Sequence, residues 1–229
     1  MKIKQVIGTI LLLSSGIAAG QDCIFYYPET EGAELVYQHY DKKGNSSGQT
    51  SQKVTVYKQT ATGAEAEIEV KSYDEKGKQL AQNTLEVKCE KGIFYFDMSG
   101  YLNQEMMSAY ESMEIRVETD NLEMPSNLKV GEQLKDGVIT IDISSNGMKL
   151  MTMEVIISDR NVLSREDVTT PAGTFNCFKI AQTVTTKMGM QMVVKSIDWL
   201  SPGTGMIKSE SFSGSDKPMG TSELIKISR

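Results

Sequence analysis

The sequence predicts a mainly β protein, an antiparallel meander of about eleven to thirteen strands with one short helix, the number coming from turn spacing. Three observations carry this. Thr170-Pro171-Ala172-Gly173 has proline at the second turn position and glycine at the fourth, and the β-branched and aromatic run Thr174–Ile180 leaves it at once. Ala64, Ala66, Ile68 and Val70 alternate with Glu65, Glu67, Glu69 and Lys71, the signature of a strand with one apolar and one wet face. Asn146-Gly147 stands between two alternating runs, the strongest short-range hairpin signal a sequence offers.

Residues 1–20 read as a secretory signal peptide. Lys2 and Lys4 precede a short apolar run from Ile7 to Leu13, and small residues lead up to Gln21. The mature chain is then 21–229, a single antiparallel β domain, exported to the periplasm or beyond. Cys23 does not read as a lipid acceptor, because Asp22 occupies the place before it where a small residue is needed. No later apolar run reaches the roughly 20 residues of a transmembrane helix. Without the leader, 22 Lys and Arg face 30 Asp and Glu, a formal charge of −8. Such a surface disfavours nucleic acid and anionic headgroups as partners.

Along the mature chain, strands are expected at Glu34–Tyr40, Lys53–Gln59, Ala64–Tyr73, Gln79–Cys89 and Ile93–Phe96. Leu102, Met106, Ala109 and Tyr110 recur at helical spacing, which predicts one short helix over Leu102–Tyr110. Alternation returns at Met113, Ile115 and Val117. The passage 120–137 is irregular, with Pro125, Gly131 and Gly137, and marks a possible seam between two halves. Ile139–Ile143 and Met151–Ile157 flank Asn146-Gly147. Strands then follow at Val162–Val168, Phe175–Lys187, Met190–Leu200, Gly205–Ser213 and Thr221–Ile227, with Pro202-Gly203 forming a type II turn.

Reactive chemistry finds little support. His39 is the only histidine, and no Gly-x-Ser-x-Gly turn gives it a partner. Glu65, Glu67 and Glu69 read as a solvated strand face, not as a paired-carboxyl site. Phosphate loops and dinucleotide fingerprints are absent. No catalytic residue, metal ligand or cofactor is therefore assigned. Cys23, Cys89 and Cys177 are too far apart in sequence for a clustered metal site. They permit one disulfide. Cys23 with Cys89 is the favoured pairing because it would tie down the N-terminus, with a buried free thiol at Cys89 as the other reading.

The compositional oddity is methionine. Met148, Met151 and Met153 gather beside one predicted hairpin, and Met188, Met190 and Met192 beside another. Members two residues apart share a strand face. Core filling accounts for them, and so does a soft apolar lining for a ligand or partner. Thioether capture of copper(I) lacks a supporting His or Cys.

The motif Thr170-Pro171-Ala172-Gly173-Thr174-Phe175 resembles the TapB-like family of secreted bacterial envelope proteins, built on a domain of unknown function. So do Asp198-Trp199-Leu200, Gly203 and Gly205-Met206-Ile207-Lys208-Ser209-Glu210. The resemblance extends to Tyr27-Pro28, Lys88-Cys89 and Val130–Gly137. It implies a strongly curved antiparallel sheet, a half-barrel or near-closed barrel similar to the lipoprotein-carrier fold, and no particular reaction. With the apolar strand faces, it makes a non-enzymatic binding module for an apolar or amphipathic ligand the leading expectation. Met151, Met153, Met190, Met192 and Trp199 are the expected wall residues. A hydrophobic small molecule or lipid is the expected partner, with a protein-interacting component of the cell envelope as the alternative.

Overall fold

Glycine and asparagine take the positive φ angles that tight hairpins demand, and the chain folds back on itself at those points. Asn146 and Gly147 lie at φ 52° and 74°, the type I′ pair, and Gly203 lies at φ 70° in the Pro202-Gly203 turn. In the computed structural model, which describes residues 23–96 and 113–228, thirteen strands follow. The first five are β1 (Glu34–Asp41), β2 (Ser46–Thr60), β3 (Gly63–Tyr73), β4 (Gln79–Glu90) and β5 (Ile93–Phe96). Then come β6 (Glu114–Asp120), β7 (Leu122–Pro125), β8 (Gly137–Ser145) and β9 (Met148–Thr170). The last four are β10 (Gly173–Met188), β11 (Met190–Ser201), β12 (Gly205–Ser213) and β13 (Pro218–Ser228). All pairings are antiparallel, and the strands form one sheet in the order β6-β8-β9-β10-β11-β12-β13-β1-β2-β3-β4-β5-β7. The all-antiparallel fold expected from the sequence is the one observed. The helix expected at Leu102–Tyr110 and the leader 1–20 lie outside the described residues.

The sheet curls until its two ends meet. Its edge strands β6 and β7 are consecutive in the chain and joined through Asn121. Leu122 of β7 packs into the cluster of Ile139, Ile141 and Ile157 from β8 and β9. Arg160 of β9, 2 % exposed, donates from one guanidinium nitrogen to the carbonyls of Glu123 (3.2 Å) and Lys135 (2.6 Å). The irregular passage foreseen at 120–137 holds β7 and then runs beside β9: Leu134 N–H donates to Arg160 O, and Val162 N–H to Glu132 O. The barrel is thus nearly closed by side-chain and loop hydrogen bonds in place of a strand ladder. Sequence periodicity separated Met151–Ile157 from Val162–Val168, but the two form one strand of 23 residues. Asp159, at φ 53°, inserts the irregularity that shifts its register against β10.

The barrel's two ends differ. At the end bearing the 171–172 and 202–204 turns, Phe25, Tyr26 and Tyr27 enter the core and pack around Phe94. Phe25 meets Phe94 edge-on, with centroids 5.0 Å apart, and Tyr26 lies 5.5 Å from the same ring. Gly203 N–H donates to Phe25 O at 2.7 Å. A Cβ at Gly205 would fall 2.7 Å from Tyr26 O, so only glycine admits this approach. Cys23 and Cys89 are joined by a disulfide that anchors the plug to β4, and Cys177 is a buried free thiol. The opposite end carries the hairpin tips at Asn146-Gly147 and Gly189.

Two outcomes test this frame. Replacing Cys23 and Cys89 together by serine releases a loop of 66 residues and should cost about 4 kcal/mol in denaturant titration of the oxidised wild type against the variant. Arg160→Leu leaves two buried carbonyls without their donor and should cost about 3 kcal/mol. A loss under 1 kcal/mol would mean that the ends of the sheet hold together without it.

Candidate functional site

Strand register decides which side chains face inward. Ile180, Gln182 and Val184 of β10 share a face with Ser196, Asp198 and Leu200 of β11, through the pairs Val184↔Val194, Gln182↔Ser196 and Phe178↔Leu200. That face bounds a cavity of about 410 Å³, open to solvent. From the far end of the strand order, Leu122, Met124, Leu85 and Phe96 complete an apolar wall. Strands distant in the sheet face each other across this space because the sheet has curled.

One patch of the wall is polar. Asp198 Oδ2 accepts from Gln182 Nε2 (2.8 Å) and Ser196 Oγ (2.8 Å), and its Oδ1 accepts from Ser209 Oγ (2.6 Å). Arg160 and Gln52 line the same cavity. Burial pushes the Asp198 carboxyl above its usual range. The three hydrogen bonds and the Arg160 charge oppose that shift without cancelling it. The one free thiol, Cys177, is not among the residues lining the cavity, and burial and the carboxylates of Asp167 and Glu166 push it up to about 12. His39, also on the inner face beside Tyr37, is held between Ser222 Oγ and Thr50 Oγ1, each 2.7 Å away. Its burial lowers its pKa.

The expected wall residues divide. Met151 and Met153 oppose Ile143 and Ile141, and Met192 opposes Thr186, so Met151, Met153, Met190 and Met192 all continue the inward face toward the open end. Met153 is buried in the cluster of Ile139 and Ile141, and Met151 packs beside it half-buried. Met188, Met190 and Met192 are 46, 87 and 59 % exposed at the hairpin rim. None of the four touches the cavity itself. Trp199 follows Asp198 and therefore points to the other face of the sheet. There Lys179 and Lys208 lie over its ring at 4.9 and 5.1 Å, and its indole N–H donates to Glu166 Oε1 at 2.7 Å. That bond and the one from Ser164 lower the Glu166 pKa.

The polar patch was missed from sequence, although a signal existed. Gln182 sits in phase with Ile180 and Val184, and Ser196 and Asp198 sit in phase with Val194 and Leu200. Polar residues on the apolar phase of two paired strands mark either a solvated interior or a binding wall.

An antiparallel, nearly closed barrel enclosing a mostly apolar cavity with one polar patch defines the class. Residues 30–224 match the family described as DUF3108-like, and the chain belongs to it. Two solved structures share the fold. One is a candidate exported protein with a YmcC-like fold from Bacteroides fragilis, 22 % identical, covering 90 % of this chain and all of its own, with a TM-score of 0.73. The other is a candidate lipoprotein from Parabacteroides distasonis, 22 % identical over 91 % of this chain and all of its own, with a TM-score of 0.75. No curated protein matches the chain. No helix among the described residues is long and apolar enough to cross a membrane.

Asp198 makes stability depend on pH. Its folded-state pKa lies above the unfolded value near 3.8, so its contribution is fully present below that value and is lost as pH rises through the folded pKa. Asp198→Asn should therefore gain in melting temperature relative to wild type as pH goes from 4 to 8. A difference constant across that range would refute the shift.

Proposed function

We propose that the protein is a non-enzymatic binding module that holds an apolar or amphipathic ligand inside its curved sheet. The observation that carries this reading is the cavity of about 410 Å³, with an apolar wall and one hydrogen-bonded polar patch. Small-molecule sites typically occupy about 300–1,000 Å³ and combine such a wall with a few placed polar groups. A purely structural barrel would pack its interior to ordinary density. Export fits the same reading: the leader at 1–20 is removed, the mature chain 21–229 acts as a single domain, and it works in the periplasm or outside the cell. The described relatives, an exported protein and a lipoprotein by name, support export at the level of family. The finer TapB-like assignment belongs with this reading and rests on the Thr170–Phe175 and Asp198–Glu210 motifs.

Protein purified without detergent should release an amphiphile on solvent extraction and show the matching adduct by native mass spectrometry. Val184→Trp, which fills the cavity from β10, should lower that loading at least tenfold while the fold persists by circular dichroism. An empty wild-type protein with no affinity for any amphiphile would sink the proposal in favour of an envelope protein whose partners bind its outer surface.

A further inference from the structure

Building on that reading, we propose that the ligand is a single-chain amphiphile with an uncharged, hydrogen-bond-donating end. That end sits at Asp198, and the chain leaves over the methionine rim. The donor requirement follows from hydrogen-bond bookkeeping. Ser196 and Ser209 each spend their one hydroxyl proton on Asp198, and Gln182 turns its amide N–H toward the same carboxyl. What these groups still offer a ligand is chiefly lone pairs: two per serine oxygen, the Gln182 carbonyl, and the remaining sites on the carboxylate. A hydroxyl or amide N–H satisfies them. Gln182 keeps one further N–H, but at the Asp198 carboxyl itself a ligand carboxylate or phosphate would set acceptors against acceptors.

The uncharged character follows from the wall's balance. Arg160 and Asp198 supply one charge of each sign to the cavity, and each is already hydrogen-bonded. A third charge would enter a largely apolar space with no counter-ion to meet it.

The chain's direction follows from the two ends. Toward the 202–204 turn the interior is filled by Phe25, Tyr26 and Phe94. Toward the other end the inward face of β11 runs Asp198, Ser196, Val194, Met192, Met190, flanked on β10 by Val184, Thr186 and Met188. Six residues of strand separate Asp198 from Met192, about 20 Å at 3.3 Å per residue, the reach of a long acyl chain. The exposure of Met188, Met190 and Met192 is explained if a chain lies across them, since thioethers re-pack around varied apolar shapes.

The test is calorimetric titration of delipidated protein with monopalmitoylglycerol, monocapryloylglycerol, palmitic acid, hexadecylamine and palmitoyl-lysophosphatidylglycerol, each below its micelle threshold. The long-chain glyceride should bind at least tenfold tighter than the acid, the amine or the phospholipid. Affinity should rise about tenfold for every two methylenes between the short and long glycerides. Met192→Asp, at an exposed position that tolerates charge, should weaken the long glyceride at least tenfold and leave the short one within twofold. Equal or tighter binding of a charged head overturns the assignment of the polar end while the binding-module reading stands. An unaffected long glyceride in Met192→Asp overturns the chain's path. Failure of all five probes overturns this inference, and the binding-module reading falls with it only if solvent extraction of the native protein also releases no amphiphile.

Discussion

Closing a curled sheet without a final ladder is the constraint on which the rest of this structure depends. A thirteen-stranded sheet has two edges, and edge strands expose backbone groups that must be covered or paired. Here the edges belong to consecutive strands, so the chain brings them together through a single residue, Asn121. The Arg160 guanidinium then binds one carbonyl on β7 and one on the segment that follows it, and the 131–134 segment adds backbone bonds to β9. A planar charged group with several donors suits this place, because two carbonyls pointing from different elements can be met by one side chain. If the closure opened, Leu122 and Met124 would move away from β9 and β10, and there would be no cavity.

The same arginine ties closure to the polar wall. Its charge lies close enough to Asp198 to favour the ionised carboxylate, yet burial outweighs it and leaves the carboxyl's pKa raised. An interior selected for stability alone would place apolar residues at 182, 196, 198 and 209, where strand alternation already favours them. Polar residues there cost desolvation that their mutual hydrogen bonds only partly recover. Local rules broken on an otherwise consistent face are where a binding site is expected.

Much of the fold was legible because antiparallel sheets write their turns and alternation directly into the sequence. Asn146-Gly147, Pro202-Gly203 and the Ala64–Val70 alternation each encode a local geometry that tertiary contacts did not override. Parity was legible too: Met151 and Met153 share a face, as do Met190 and Met192. What sequence could not supply was which parity faces inward. Trp199, expected among the wall residues, lies one step out of phase with Asp198 and is roofed on the opposite face by two lysines. Arg160 was illegible for a related reason. Within Ser158-Asp159-Arg160-Asn161 it reads as part of a polar turn, and only the bulge at Asp159 carries it inward on a continuous strand.

The two ends of the barrel complete the logic. At one end, aromatic stacking, a disulfide and a glycine-permitted backbone approach are spent on filling the interior. At the other, apolar side chains remain in water at the tip of the β10–β11 hairpin. Nothing in folding the sheet requires that difference, since charged residues at Met188, Met190 and Met192 would serve a plain hairpin rim better. On the binding-module reading proposed above, the plug sets the depth of the interior and the rim gives access to it. The polar patch lies between them, on the strands that run from one to the other.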